Sequence, residues 1–494
     1  MIYRKIEYFI KKWIDSSTKK ALLITGARQV GKTYSIRKTL KENAVSFIEI
    51  NFLENEAAMQ LFQQTTNAQD LLRGLSVLVE KPLVKGKTIV FFDEVQCCKE
   101  IVTAIKFLVD EGSYKYIMSG SLLGVELKDI RSFPVGYLDI ESMYPLDFEE
   151  FMKANNFSDE VIGHLRNGYQ NLSPIDEFIH QQTMKLFHLY LIVGGMPAAV
   201  DIYLKTNNIA KVIEVQKSII DLYKKDIAQY DPKEKLYLNE ILMLIPSEIN
   251  SKNKRFVLKS LNENQKFSRY ENRFLWLKDA GVALPTYSAN EPALPLMLSK
   301  SRNLFKLFLN DIGLLCTMYA NGLQLKILQG EININHGAIY ENFVAQELTA
   351  HQFDLYYYNS KKNGEVDFMI EHDGALLPIE VKSGKDYLRH VSMTHLLANE
   401  QYGIAKGIIL QNENISVKGK AVYLPVYMTM FIENQQIPED LVYRVEAILN
   451  NKKVETRHDT SLHKILSPEN TIVLSKRGAR SDRSSGRYTC SRSR

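Results

Sequence analysis

The stretch ALLITGARQVGKT, Ala21 to Thr33, runs from an apolar segment through a glycine-bounded turn into a lysine and a threonine. Ala21 to Thr25 reads as a buried strand, and a helix is expected directly after the turn. Between them, Gly26, Ala27, Arg28, Gln29, Val30, Gly31, Lys32 and Thr33 fit the spacing GxxxxGK[ST]. Glycine lets the backbone wrap close to phosphate, so that successive N–H groups and the positive end of the following helix point at it. All eight residues are therefore expected to bind nucleotide. Lys32 would reach the β- and γ-phosphates, and the Thr33 hydroxyl would ligate Mg²⁺.

Working outward, Ile89-Val90-Phe91-Phe92 runs straight into Asp93-Glu94. A carboxylate at the tip of a buried strand beside such a loop holds Mg²⁺, which is the role expected of Asp93. Glu94 stands where it would polarise a water for attack on the γ-phosphate; a solvated acid opening a loop is its plainer reading. Ser119 and Ser121 close the next apolar run, where a hydroxyl would sense the γ-phosphate, or where Ser-Gly-Ser is simple turn chemistry. Arg131 is the nearest downstream arginine for transition-state charge, against the alternative of a surface salt bridge. With no [NT]KxD motif for reading guanine after the site, ATP is the expected nucleotide.

The rest of the first 150 residues alternates strand-like and helical stretches, the pattern of an α/β domain with a largely parallel sheet. VSFIEI at 45–50, KTIVFFD at 87–93 and YKYIMSG at 114–120 are the other expected strands. From about Pro145 to Asn250 the apolar spacing is helical, interrupted at Gly194-Gly195-Met196-Pro197, and reads as a helical lid or connector. Residues 251–300 look like a separate small unit that opens with a cationic run, seven Lys and Arg against two Glu in 251–274. Ser268-Arg269-Tyr270-Glu271 has capping-box form, and Gly281 would end the helix it starts. Arg269, Asn272, Arg273 and Lys278 would lie on its exposed side, suited to DNA.

Near the C-terminus, Asp367 in GEVDFMI and Glu380-Val381-Lys382 in LPIEVKSG lie on two expected strands joined by a hairpin at Asp373-Gly374. Residues i and i+2 of a strand share a face, so Glu380 and Lys382 project together, and pairing brings Asp367 beside them. Two carboxylates with a lysine can hold Mg²⁺ or Mn²⁺ and orient a water for phosphodiester hydrolysis. Glu341, on the edge of a helix whose buried stripe is Tyr340, Phe343, Val344 and Leu348, would supply a further acid to that metal, or else be an exposed helical glutamate.

With 494 residues, three domains are the natural expectation. The 45% apolar and 24% charged shares exclude wholesale disorder and fibrous repeats. No window approaches the roughly 18 uninterrupted apolar residues of a membrane span. The N-terminal cations interleave with a helical apolar stripe rather than flank a signal peptide's core, and the four cysteines form no CxxC pair, so a reducing cytoplasm is expected. The net charge of +5 resides in the last nineteen residues, which carry seven cations against Asp482; the remainder is near neutral.

GARQVGKT, FFDEVQ, SGSLLG, YPLDFEEF, VGGMP, FLNDIGL, IYENFVAQEL, GEVDF and IEVKSG occur in that order. Together they resemble prokaryotic AAA-type P-loop ATPases that carry a C-terminal domain of unknown function with a restriction-endonuclease-like fold. The likeness runs from about Arg4 to about residue 440. It implies an α/β multidomain chain: an AAA-type P-loop ATPase domain with helical lid at 1–205, a helical connector and winged-helix-like module at 206–300, and a restriction-endonuclease-like α/β domain at 301–445. A basic tail at 446–494, read as disordered from its composition, completes the chain. ATP and Mg²⁺ are implied at Lys32, Thr33, Asp93 and Glu94, and a PD-(D/E)xK arrangement at Asp367, Glu380 and Lys382. The leading expectation is an ATPase whose nucleotide state controls a DNA-binding, nuclease-like region. The alternative is a non-cutting ATP-driven switch acting on a protein partner, and self-association is left open in both.

Overall fold

Ala21–Thr25 (β1) is apolar on both faces because helices cover both faces of its sheet, as in other parallel sheets. β1 is preceded by Lys5–Asp15 (α1) and followed by Lys32–Glu42 (α2), Phe47–Asn51 (β2), Glu56–Gln64 (α3), Ala68–Leu78 (α4), Ile89–Asp93 (β3), Glu100–Glu111 (α5), Lys115–Ser119 (β4) and Leu138–Ser142 (β5). The five strands run parallel in the order β2-β3-β4-β1-β5. The period of two sorts the side chains. Leu22, Ile24, Phe91 and Ile117 pack under α1 and α2, whereas Leu23, Val90, Phe92 and Met118 pack under α3, α4 and α5. The expected strands are all present, and β5 is added at the edge of the sheet.

The structure is a computed structural model that describes residues 2–65, 67–121, 134, 136–230, 235–251, 256, 271–319, 322–328, 337–360, 362–384 and 387–435, with 228–230, 235, 271, 272 and 302 described by their backbone alone. The tail expected at 446–494 lies outside these residues.

The helical middle forms as read: Phe148–Ala154 (α6), Asp159–Asn171 (α7), Glu177–Val193 (α8), Pro197–Thr206 (α9), Ile209–Tyr230 (α10) and Lys235–Asn250 (α11). α6 opens with a full capping box, Asp147 accepting from the Glu150 N–H while the Glu150 side chain accepts from that of Asp147. Glu271–Asp279 (α12) follows, ended by Gly281 at φ 71°. Next come Ala283–Ala289 (β6), Lys300–Leu309 (β7), Ile312–Met318 (α13), Leu323–Leu328 (α14), Gly337–Ala350 (α15), Tyr356–Ser360 (β8), Gly364–His372 (β9), Ala375–Val381 (β10), Val391–Ala398 (α16), Gly407–Gln411 (β11), Ser416–Lys418 (β12) and Ala421–Pro425 (β13).

Two expectations about boundaries are corrected here. Residues 251–300 are not a separate unit, because β6 hydrogen-bonds to β7 on one side and to β8 on the other. The two strands thereby complete an eight-stranded mixed sheet, β12-β13-β11-β10-β9-β8-β6-β7. A boundary at 300 would cut this sheet between paired strands. Nor does the hydrophobic core respect a boundary at 205. One continuous core joins Leu146, Phe148 and Tyr190 of the expected lid to Tyr223 of α10, Phe343 of α15 and Ile379 of β10. The lid helices therefore bury their apolar stripes against the C-terminal sheet, and the residues up to Glu433 belong to one compact unit. Among the described residues, no helix is long and apolar enough to cross a membrane, and Cys97, Cys98 and Cys316 are free thiols.

Candidate active site

β1 hands the chain to Gly26 at φ 139°, where an added Cβ would stand 2.1 Å from the backbone oxygen of Met143. Only glycine fits so close to a neighbouring backbone. Gly31, at φ 96°, starts α2, and Lys32 turns back over its own loop, Nζ donating to the oxygens of Gly26 at 3.0 Å and Ala27 at 2.8 Å. Burial pushes the Lys32 ammonium down to about 8; the carboxylates of Glu94 and Asp93 oppose the shift and Arg28 adds to it. The Thr33 hydroxyl lies 3.1 and 3.0 Å from the two carboxylate oxygens of Asp93. Hydroxyl and carboxylate thus converge as a hard cation such as Mg²⁺ requires, so this pair fits that ion.

β4 lies between β1 and β3 in the sheet, and this order places Ser119, at its end, against the same carboxylate: its hydroxyl donates to Asp93 Oδ1. Ser121 sits one step further out. Its backbone N–H donates to Gln96 Oε1 at 3.2 Å, and the Gln96 amide donates in turn to Glu94. Glu94 has φ 54°, a left-handed conformation that costs a non-glycine residue on the order of 1 kcal/mol or more and concentrates at functional turns. Arg131 lies outside the described residues.

These groups line a cleft of about 1040 Å³, within the scale of small-molecule sites. Gly31, Lys32 and Thr33 form its floor and Glu94 its rim, while Pro197 of α9 and Leu222 of α10 face them. Two arginines tie the loop to its surroundings. Arg4 donates to Val30 O at 2.8 Å, Tyr144 O at 2.6 Å and Glu150 at 3.1 Å, joining the loop to the capping box of α6. Arg28 pairs with Asp226 of α10 at 2.6 Å, and the Tyr223 hydroxyl donates to Arg28 O at 3.4 Å.

The second constellation is arranged differently from its expected form. Glu380 and Lys382 do share a face and form an ion pair at 2.7 Å, and Asp367 lies on the adjoining strand, accepting the Val381 N–H at 2.9 Å. Glu341 is 1% exposed, which overturns its reading as a solvated helical acid. Burial raises the Glu380 carboxyl to about 7, helped by Asp367 and Glu341 and opposed by Lys382. The expected metal at Asp367, Glu380 and Glu341 is not borne out: among the described residues no three acids or other ligating side chains converge on one ion. Lys306 of β7, fully buried, sits there instead. Its Nζ is 2.9 Å from Glu365, 3.5 Å from Glu341 and 3.7 Å from Asp367.

Of the four side chains expected to face DNA, Arg269 lies outside the described residues and Asn272 is described by its backbone alone. Arg273 is packed inward, its guanidinium 4.3 Å from the centre of the Tyr237 ring of α11, and Lys278 is exposed. The sequence reading passed over Gln96, Asp226, Lys306 and the contacts of Arg4. Lys306 alone carried a visible signal, a charge inside an otherwise apolar strand, Leu304 to Leu309.

Residues 18–152 match the AAA domain family, 184–326 a domain of unknown function (DUF8612) and 336–428 a second domain of unknown function (DUF4143). None of the curated proteins compared with the chain matches it. Among solved structures, a Walker-type ATPase of Pyrococcus abyssi is similar at 14% identity and a TM-score of 0.39, over 64% of this chain and 96% of that one. The ORC1 protein of Aeropyrum pernix, in complex with DNA, is similar at 11% identity and a TM-score of 0.27, over 67% and 93%. RuvB of Thermotoga maritima, a Holliday junction branch migration motor, is similar at 13% and 0.27, over 62% and 92%. The family match over 18–152, on a parallel sheet with a P-loop after its first strand, makes this part of the chain an AAA-type ATPase core.

Proposed function

We propose that the chain is a Mg²⁺-dependent ATP hydrolase whose nucleotide state is transmitted from the P-loop to the helices and sheet of the C-terminal half. The observation that carries the first part is the convergence of Thr33, Ser119 and Asp93 beside Glu94 at the cleft. Lys32 exchanges the two loop carbonyls for the β- and γ-phosphate oxygens, and the loop amides from Gly26 to Thr33 cradle the phosphates. Thr33 and Asp93 hold Mg²⁺, which neutralises phosphate charge when bound. Glu94 takes a proton from the attacking water as its oxygen bonds to the γ-phosphorus and the bond to the β-bridging oxygen breaks, giving ADP and phosphate. Ser119 and Ser121 sense which product remains. Arg28 faces the cleft in the place where a charge-stabilising arginine is wanted, a role first read onto Arg131.

Transmission rests on the Arg28–Asp226 pair and on Gly281, whose added Cβ would come within 3.1 Å of the Ala27 nitrogen. Both partners belong to the body built on the eight-stranded sheet. Steady-state turnover tests the chemistry: Lys32→Ala is expected to lose nucleotide binding or turnover, and Glu94→Gln to bind ATP while losing turnover by 10²-fold or more, on the order of a missing general base. Equal hydrolysis by wild type and Glu94→Gln would remove Glu94 from the mechanism. DNA is the partner to which the cationic run at 251–274 points, with exposed Lys278 close beyond it. Its test is salt: Lys278→Ala should lower the slope of log affinity against log salt by about 1. No binding at low salt would turn the reading to a protein partner.

A further inference from the structure

Lys306 is 0% exposed, and an ammonium wholly removed from water requires counter-charge at hand. Three carboxylates provide it, from three elements: Glu365 and Asp367 of β9 and Glu341 of α15. The two remaining members of the expected nuclease site are committed elsewhere. Lys382 donates to Glu380 Oε1 at 2.7 Å, and one oxygen of Asp367 accepts the Val381 amide at 2.9 Å.

We propose that Lys306 is the resident cation of this cluster, standing where a divalent metal would be needed, so that the C-terminal sheet carries a metal-free, non-hydrolytic version of a phosphodiesterase site. Mg²⁺ demands near-octahedral oxygens at about 2.0–2.1 Å around one point, and Mn²⁺ favours similar hard oxygen sets. Among the described residues no such convergence exists. A divalent ion placed between Glu341 and Asp367 would also lie within a few ångström of a buried ammonium, where screening by water is weak and the repulsion strong. The lysine cannot step aside into solvent, because β7 is held between α15 and its pairing with β6, Lys306 opposite Thr286. The acids of the D-x12-E-x-K pattern therefore neutralise Lys306 and Lys382. The C-terminal fold keeps the shape of a nucleic-acid-cutting domain and serves as a binding surface.

The test is Mn²⁺ binding to the full-length, nucleotide-free protein, read as loss of the free-ion paramagnetic resonance signal. Wild type and Asp367→Asn are expected to bind the same amount of Mn²⁺. Lys306→Met, which keeps the volume and removes the charge, is expected to gain one Mn²⁺ per chain, and Lys306→Met/Asp367→Asn to lose it again. Wild-type binding that Asp367→Asn or Glu380→Gln abolishes would overturn the proposal, as would a folded Lys306→Met that gains none. Should Lys306→Met fail to fold, the comparison of wild type with Asp367→Asn and Glu380→Gln still decides. No nucleotide is present, so the outcome is independent of ATP turnover.

Discussion

The ammonium of Lys32 is held by two carbonyls of its own loop, and burial lowers its pKa from 10.5 to about 8. Phosphate oxygens would restore the charged form. Above about pH 8 the free protein has therefore lost a proton that the complex regains, so nucleotide affinity should fall as pH rises through 8, by up to about tenfold per unit until the ordinary lysine value is approached. Calorimetry in buffers of different ionisation enthalpy should detect proton uptake on ATP binding at pH 9 and little at pH 7. A flat profile from pH 7 to 9.5 would count against the buried, unscreened ammonium. At this scale Lys32, Thr33 and Asp93 were legible in sequence because a short loop and a strand end set their positions covalently. Gln96 and Lys306 were not, because their meaning lies in Glu94, Glu341, Glu365 and Asp367, which other parts of the chain bring to them.

At the scale of elements, the turn between α8 and α9 joins the helices by a special backbone. Gly194 has φ 69°, and Pro197 occupies the first turn of α9, where its missing N–H costs nothing. Gly195 donates to Asp311 at 2.6 Å and accepts from Leu146 at 2.7 Å, and an added Cβ would stand 2.1 Å from Leu146 O. Backbone cannot yield as a side-chain tip can, so Gly195→Ala should cost roughly 2 kcal/mol or more, read as a lowered urea midpoint. Gly163, inside α7, has open space around it, and there Gly163→Ala should instead stabilise by about 0.5–1 kcal/mol. Equal effects at the two sites would refute the packing argument. The Gly-Gly-Met-Pro interruption was plain in the sequence; that it docks on Asp311 was not, since helical periodicity says which face is buried and not against what.

At the scale of the whole molecule, one core runs from the segment after β5 through the middle helices to the C-terminal sheet, and the P-loop abuts that body at Asp226 and Gly281. ATP should therefore slow amide exchange in α10 of the wild type. Asp226→Asn should keep ATP binding within a few-fold yet lose that protection, because the contact that relays the loop's state is gone. Exchange in α10 indifferent to ATP would sink the coupling. The sequence by itself determined the P-loop, the acids at the end of β3, the helical middle and the Asp373-Gly374 hairpin, since each is written in spacing along a single stretch of chain. Only the tertiary structure decided that β6 and β7 complete the C-terminal sheet and that a lysine neutralises its acids. Strand partners and buried ion pairs are set by burial and Coulomb energy between distant segments, and local periodicity does not encode these.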